Sequence, residues 1–388
     1  MNQLFLPHKT KRSSNFWKNS LVLILGLGVA FITLELFLRI YNPFDFRIRI
    51  KQGKITLPIN EKIEIKNNKN KKLDKLIKHS RNSLGFRGDN PPQNFTDYLT
   101  IMTIGGSTTE CFYLSDEKTW PFLLGKEMEK KFNKCWINNA GLDGHSTSGH
   151  IVLMEDSIIK IKPKMILLLI GINDVNLSFF DKNKEVSESF VYRSVKKIIK
   201  PMINYSETLT LCFNIFRYNQ ALLNYKITDK ALMSESKIVN QLQIDKYLNR
   251  DRFLQAYKIR LKKIVDLAKR NEILPILITQ PMYCGWKSKN PDIEFEKILS
   301  LGFFNQKELW KKLELYNDIT REIGKKENLL VIDIAHELES NPNYYYDLMH
   351  HTNEGAKKVA QIIYKKLVPF VLKKYPEFRK NSKTEPIL

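Results

Sequence analysis

The sequence has few of the residues that build metal or redox sites. Its 388 residues include 4 cysteines and 7 histidines. No two cysteines form a CxxC pair, so the spacings typical of structural zinc and of thiol–disulfide exchange are missing. One or two disulfides remain open for a domain outside the cytoplasm, and free buried thiols are at least as compatible with the spacing. The four positions are Cys111, Cys135, Cys212 and Cys284.

Signatures of nucleic-acid binding are also missing, although the chain is strongly basic. Lysine and arginine total 63 against 41 aspartate and glutamate residues, a formal net charge of +22. Such an excess suits nucleic acid, a membrane surface or an acidic polymer. The lysines are scattered along the whole chain, and there is no zinc-finger spacing, aromatic RNA-binding signature or basic heptad region. We therefore expect no nucleic-acid partner.

The first 20 residues lack acidic side chains and precede a long apolar run. The run covers residues 21–38, which as a helix would span about 27 Å, close to the hydrocarbon core of a bilayer. Glu35 is its only charged residue and lies near the far end. The basic flank predicts that the N-terminus is cytoplasmic and the rest of the chain extracytoplasmic. We expect a cytoplasmic basic tail at 1–20 and a transmembrane signal anchor at 21–40.

A cleaved signal peptide is the competing interpretation of this segment. Gly28-Val29-Ala30 has the small residues of a cleavage site. The apolar run continues well beyond Ala30, however, where a signal peptide would end. This length favours an uncleaved, single-pass membrane anchor.

Strand-like and helix-like patterns alternate from Tyr98 onwards. Residues 41–97 are polar and lysine-rich, with a glycine-containing turn at Asn82–Gly88, and are expected to form a stalk or entry segment. The expected strands are 98–104, 136–138, 165–170, 273–279 and 329–334, and the expected helices are 119–132, 151–161, 252–270, 308–326 and 353–374. This alternation predicts an α/β domain with a buried parallel sheet at 98–376.

Two segments fall outside this alternation. Residues at about 177–251 have helical patches but no clean strand, and a structureless loop of that length is unusual in a compact domain. We interpret them as a largely helical insertion, either a wall of the site or a surface elaboration. Residues 377–388 form a polar tail.

Glycine-rich and polar groups follow the predicted strands, where ligands bind in open parallel sheets. The groups are Gly105–Thr109, Asn139–Gly144, Gly171–Asp174 and Asp347–His351. A serine hydroxyl needs a base to become a nucleophile, a histidine provides one at neutral pH, and an aspartate fixes the imidazole tautomer. Glycine turns and a side-chain amide suit an oxyanion hole. Together these groups supply the parts of an acyl-transfer site.

The four groups resemble, in order, the four sequence blocks of the SGNH hydrolases, also called GDSL esterases and lipases. The anchor and Asn82–Gly88 resemble the N-termini of bacterial membrane-anchored members. One departure is Gly106, which stands where the GDSL name has aspartate and which many members share. The resemblance implies a three-layer α/β/α, flavodoxin-like parallel sheet, preceded by one transmembrane helix.

The resemblance also implies the roles of five residues. Ser107 would be the nucleophile, His350 the base and Asp347 the partner of His350. The backbone N–H groups of Ser107 and Gly144 and the side-chain amide of Asn173 would form the oxyanion hole. Neither a cofactor nor a metal is expected.

Each of these residues also has an ordinary structural interpretation. Ser107 has the position of a helix N-cap after a glycine turn, Asn173 that of a turn residue and Asp347 that of a cap. Their joint occurrence at strand ends favours catalysis. His351 is expected to fill space or to hydrogen-bond the backbone. His145 and His150 lie close to the Gly144 loop and have two interpretations, as residues that line the pocket and, in preference, as solvated loop histidines.

The function expected from these observations is extracytoplasmic ester hydrolysis. It would be an esterase or acetylesterase, or an acyl transferase, that acts on cell-envelope carbohydrate. The alternatives are a lipase- or thioesterase-type acyl hydrolase, and a catalytically idle protein that binds envelope glycan or serves as a scaffold. The expected partners are an acylated carbohydrate or a lipid ester, and the membrane.

Overall fold

The computed structural model describes residues 12–41, 49–51, 54–68, 70–175, 206–209, 211–212, 251–286 and 306–380. Most of the predicted insertion at about 177–251 lies outside these residues. The described chain falls into two compact units, one with the N-terminal helix and one with the sheet.

The elements largely follow the predicted alternation. The strands are β1 (Arg49–Lys51), β2 (Lys54–Thr56), β3 (Lys62–Lys66), β4 (Leu76–Ser80), β5 (Leu99–Gly105), β6 (Cys135–Gly141), β7 (Met165–Leu169), β8 (Leu274–Ile278) and β9 (Val331–Ile332). The helices are α1 (Arg12–Ile40), α2 (Ser107–Glu110), α3 (Trp120–Glu129), α4 (Thr147–Leu153), α5 (Ile159–Ile161), α6 (Asp251–Arg270), α7 (Gln306–Lys326), α8 (Ile334–Glu337) and α9 (Asn353–Lys374). A π-helical turn, Met154–Ile158, joins α4 to α5.

Five parallel strands form the central sheet in the order β6-β5-β7-β8-β9. Residues Leu99 and Gly105 of β5 lie opposite Cys135 and Gly141 of β6. Counted from β5, the order is that of flavodoxin-like sheets, whose topological switch point lies between the first and third strands. The predicted flavodoxin-like α/β fold is therefore confirmed, and the ends of β5 and β7 lie at the switch point.

Buried side chains cover both faces of this sheet. On one face, Ile104 and Leu168 pack in a cluster that includes Leu261 of α6. On the other, Ile101 and Leu167 pack in a cluster with residues of α3 and α9. Successive strand residues point to opposite faces, so a strand buried on both sides is apolar throughout. This is why the run at 165–170 predicted a central strand.

The last strand is shorter than predicted. Only Val331–Ile332 pairs with β8, instead of the whole run 329–334. Leu329 N donates to Gly324 O at 2.8 Å, which closes the end of α7. Asp333 is the N-cap of α8, so the chain leaves the sheet there.

The entry segment contributes to the core of the sheet-containing unit. β3 and β4 pair in antiparallel register, with Ile65 opposite Ile77. Both Ile77 and Phe86 are fully buried. Residues 54–97, expected as a stalk or entry segment, therefore pack as part of this unit.

The N-terminal helix extends beyond the predicted apolar run. Its segment Trp17–Ile40 is long and apolar enough to cross a membrane, and a signal sequence would meet the same criterion. Most of its large hydrophobic side chains are exposed. Glu35 accepts hydrogen bonds from Ser206 Oγ at 2.8 Å and from the backbone N–H groups of Glu207 and Thr208. The single charge in the apolar run therefore has hydrogen-bond partners within the unit that contains the N-terminal helix.

Candidate active site

The candidate nucleophile lies on one helical turn directly after β5. Gly106 is extended and is the N-cap of α2, so Ser107 is the first helical residue and the N-cap interpretation is wrong. A Cβ on Gly105 would lie 2.1 Å from Thr109 Oγ1, and a Cβ on Gly106 would lie 2.4 Å from Asn173 Nδ2. The two glycines are needed because neighbouring groups approach the backbone this closely.

Ser107, His350 and Asp347 are joined by hydrogen bonds. Ser107 Oγ lies 2.7 Å from His350 Nε2, and His350 Nδ1 lies 2.6 Å from Asp347 Oδ2. Burial opposes ionisation of Asp347, but hydrogen bonds from the His350 ring and from the backbone N–H groups of Met349 and His350 hold its pKa below the usual value. An ionised Asp347 places the ring proton on Nδ1. Nε2 is then free to accept the serine proton.

The loop that carries Asp347 and His350 is held from both sides. The Tyr346 ring stacks on the His350 ring with centroids 5.5 Å apart and an interplanar angle of 8°. Tyr346 N donates to His350 O at 3.0 Å, and Tyr283 N donates to Leu348 O at 2.8 Å. These contacts fix the plane of the imidazole relative to α2.

The predicted oxyanion residues lie around the start of α2. Asn173 Nδ2 donates to His145 O at 2.9 Å and lies against Gly106. Gly144 has a φ of +71°, a conformation that favours glycine. The structure thus brings the loop after β6 and the Asn173 amide together at Ser107. Their roles as oxyanion donors stay predictions.

A buried carboxylate fixes the turn that carries Asn173. Asp174 is 2% exposed and accepts hydrogen bonds from Thr147 N at 3.0 Å, Thr147 Oγ1 at 2.5 Å and Arg260 Nη2 at 3.0 Å. Burial raises the pKa of Asp174, and these donors oppose that effect. The end of β7 is therefore tied to both α4 and α6.

The two histidines near the Gly144 loop are shielded from solvent to different degrees: His150 is buried and His145 is half-buried. His150 lies on α4 and is 1% exposed, and the His145 ring lies 5.9 Å from it. Burial lowers the pKa of His150 to about 3 and that of His145 to about 4. The expectation of a solvated loop histidine is therefore wrong for His150, which lies on α4 and is buried, whereas His145 lies in the loop before α4 and is half-buried. His351 packs against the ring of Tyr345, as expected of a space-filling neighbour.

All four cysteines are free thiols. Cys111 and Cys284 are buried, Cys135 is half-buried and Cys212 is exposed. Burial raises the pKa of Cys111, Cys135 and Cys284 to about 12. Of the two interpretations that the sequence left open, the structure supports free thiols.

Several charged residues that the sequence did not single out contact the site. Glu110 is 2% exposed although it follows Ser107 by only three positions, and Arg81 and Arg87 are buried beside it. Residues three apart lie on the same face of a helical turn, which is the signal that could have drawn attention to Glu110. No sequence pattern pointed to Arg260, because its contact with Asp174 joins distant parts of the chain.

The chain belongs to the GDSL-like lipase/acylhydrolase family, whose model matches residues 103–358, more than half of the chain. The match places the protein in a family of lipases and acylhydrolases and confirms the predicted resemblance. No curated protein matches the chain.

Solved structures with similar folds are remote in sequence. A lipolytic protein of the G-D-S-L family from Desulfitobacterium hafniense has 15% identity and a TM-score of 0.39, covering 69% of this chain and 98% of that one. An acetylxylan esterase from Geobacillus stearothermophilus has 13% identity and a TM-score of 0.40, covering 69% and 93%. A GDSL-like lipase from Bacteroides thetaiotaomicron has 12% identity and a TM-score of 0.39, covering 73% and 92%.

Proposed function

We propose that this protein is a serine ester hydrolase with Ser107 as nucleophile, His350 as general acid–base and Asp347 as the residue that orients the imidazole. The observation that carries this proposal is the pair of hydrogen bonds, 2.7 and 2.6 Å long, that runs from Ser107 Oγ through the His350 ring to Asp347. This is the arrangement that activates a serine hydroxyl for attack.

The reaction proceeds in two halves. Ser107 Oγ attacks the ester carbonyl carbon while His350 Nε2 takes its proton. The tetrahedral intermediate then collapses to an acyl-serine, and His350 returns the proton to the departing alcohol. Water, or a sugar hydroxyl in a transferase, then attacks the acyl-serine while His350 Nε2 takes its proton. The second tetrahedral intermediate releases the acid, or the new ester, and His350 returns the proton to Ser107 Oγ. The N–H groups of Ser107 and Gly144 and the amide of Asn173 would stabilise the oxyanion in both halves.

The proposed site of action is the cell envelope. The basic flank before the apolar run at 21–38 and the apolar length of α1 support an anchor with its N-terminus in the cytoplasm. The catalytic domain would then face an extracytoplasmic space, where acyl groups on envelope carbohydrate are the proposed substrates. Protease added to intact spheroplasts should digest this domain. Digestion only after lysis would refute the topology.

The catalytic proposal is tested by labelling with a fluorophosphonate probe and by hydrolysis of p-nitrophenyl acetate, using the full chain in detergent. Ser107→Ala should abolish labelling and lower kcat by about 10⁴-fold or more, because no nucleophile remains. Ser157→Ala, which changes a serine outside the site, serves as the matched control. Full esterase activity in Ser107→Ala would refute the proposal.

A substrate panel separates the acyl-hydrolase alternatives. Acetylated oligosaccharides should be better substrates than long-chain p-nitrophenyl esters or acyl thioesters, as judged by kcat/KM. A preference for long acyl chains would favour a lipase, and a preference for thioesters would favour a thioesterase. Failure of well-folded wild type to label would favour an idle binding protein.

A further inference from the structure

The helical turn that carries Ser107 is too short to be stable by itself. α2 covers only Ser107–Glu110 and ends at Cys111, which has a left-handed backbone with φ of 54°. A single turn of helix is unfavourable without outside contacts. The orientation of Ser107 therefore depends on the groups that bind the C-terminal end of α2.

Glu110 joins this turn to the loop that carries Gly144. Glu110 Oε2 accepts a hydrogen bond from Asp143 N at 2.6 Å, and Oε1 accepts one from Arg81 Nη2 at 2.6 Å. Asp143 and Gly144 share a peptide bond, so any movement of Asp143 also moves the Gly144 N–H group. One carboxylate thus sets the distance between the nucleophile turn and a proposed oxyanion donor.

Arg81 keeps this carboxylate in place. The side chains of Arg81 and Glu110 are 1% and 3% exposed. A buried carboxylate is unfavourable unless a charge and hydrogen bonds satisfy it. Burial raises the pKa of Glu110, and the Arg81 guanidinium opposes that effect. Arg81 Nη1 also donates to Gly85 O at 3.2 Å, which fixes the guanidinium itself.

Arg87 holds the same helical turn from its end. Its Nη1 donates to Glu110 O at 2.8 Å and to Cys111 O at 2.7 Å, and its Nη2 donates to Leu114 O. Carbonyls at a helix C-terminus lack partners within the helix and are stabilised by positive charge. Asp116 Oδ1 accepts from Arg87 Nε at 2.6 Å. Arg87 therefore fixes the turn, while the Arg81–Glu110 pair fixes the loop relative to it.

We propose that Glu110 and Arg81 are positioning residues whose ion pair aligns the Gly144 N–H with the oxyanion formed at Ser107. This inference rests on the proposed function. Neither residue touches the reacting atoms, so their contribution is geometric. Displacing a donor by about 1 Å can cost about a hundredfold in rate, while binding of the ground-state ester changes little.

The test compares wild type with Glu110→Gln in the full chain. A glutamine keeps the shape of the side chain, but an amide nitrogen takes the place of one carboxylate oxygen. It then faces the N–H of either Arg81 or Asp143, from which it cannot accept. The rate of fluorophosphonate labelling at Ser107 and the kcat for p-nitrophenyl acetate should both fall about tenfold to a hundredfold. KM should stay within about twofold, because only transition-state contacts are lost.

A conservative variant covers the case in which Glu110→Gln fails to fold. Arg81→Lys keeps the charge beside Glu110 but loses the forked geometry that also reaches Gly85. Its labelling rate and kcat should fall by about threefold to tenfold, which is less than the fall in Glu110→Gln, again with KM unchanged. If Glu110→Gln does not fold and Arg81→Lys has wild-type labelling and kcat, the inference is overturned.

Asp333→Asn is the matched control for loss of an ion pair elsewhere. It weakens the 2.9 Å pair with Arg321 and should lower Tm without changing kcat. If Glu110→Gln behaves in the same way, the Arg81–Glu110 pair is only structural and the inference is wrong. If Ser107→Ala stays active in parallel, the proposed function itself fails. The two failures are therefore distinguishable.

Discussion

Replacement of Asp347 by asparagine should remove most of the activity and leave the fold intact. An asparagine Oδ1 can still accept from Met349 N and His350 N, now 2.9 and 2.8 Å from Asp347 Oδ1. The loop should therefore keep its conformation. The asparagine amide, however, donates to His350 Nδ1, where the carboxylate accepted at 2.6 Å. The ring proton then moves to Nε2, which can no longer accept from Ser107.

The size of the expected fall in kcat follows from the loss of the correct His350 tautomer. An aspartate-to-asparagine change of this kind lowers kcat by about 10⁴-fold in a serine hydrolase triad. Since each tenfold change in rate corresponds to about 1.36 kcal/mol, the expected loss is about 5.4 kcal/mol of transition-state stabilisation. KM should change little, because Asp347 does not contact substrate in the proposed mechanism.

The assay is steady-state hydrolysis of p-nitrophenyl acetate, with Tm measured on the same preparation. Asp266→Asn is the control, because Asp266 pairs with Lys262 on α6 outside the site and should keep wild-type kcat. If Asp347→Asn retains kcat within about tenfold of wild type at unchanged Tm, His350 does not depend on Asp347 for its tautomer. The reasoning from the 2.6 Å bond would then be refuted.

Two further predictions concern buried groups. Burial lowers the pKa of His351 to about 4, so the folded chain keeps it neutral while the unfolded chain protonates it below about 6.5. The contribution of neutral His351 to the free energy of unfolding is complete above about pH 6.5, and up to about 3 kcal/mol of it is lost as the pH falls towards 4. In urea unfolding, His351→Gln should therefore lose less stability than wild type over this pH range. The same pH dependence in both proteins would contradict the prediction. Iodoacetamide should modify exposed Cys212 in the native protein and spare Cys111, Cys135 and Cys284, because the thiolate is the reactive form and burial raises those three pKa values. Rapid labelling of a buried thiol, read by peptide mass spectrometry, would refute this.

The sheet could be predicted because its strands are buried on both faces. Met165–Leu169 is apolar at every position and is buried at every position. Such a run has few structural alternatives when helical patterns lie on both sides of it. The ends of the edge strand β9 could not be predicted from such a pattern. Val331–Ile332 is short because Asp333 starts a helix, and this depends on local capping that an apolar run does not reveal.

The candidate site could be predicted only in part, because it combines neighbouring and distant residues. Ser107 and His350 are 243 positions apart in the sequence. Their proximity could be predicted only from the family resemblance and from the rule that parallel strands end at one edge of the sheet. The contacts of the buried arginines could not be predicted, for a different reason. Arg81 precedes the glycine-containing turn at Asn82–Gly88 and Arg87 lies within it. Both look like solvated loop residues in the sequence, yet both are almost completely buried.

These two arginines also show that the sheet-containing unit extends upstream of the family match. The match begins at residue 103, whereas the groups that hold α2 come from residues before it. Phe86 lies between the two arginines and is fully buried in the core cluster of one sheet face. The packing of Phe86 in the core therefore fixes the segment 81–87. This segment positions the guanidinium groups of Arg81 and Arg87, and these groups hold α2, which carries Ser107. A chain without this segment would keep the serine, the histidine and the aspartate, but it would leave the Glu110 carboxylate buried without its counter-ion.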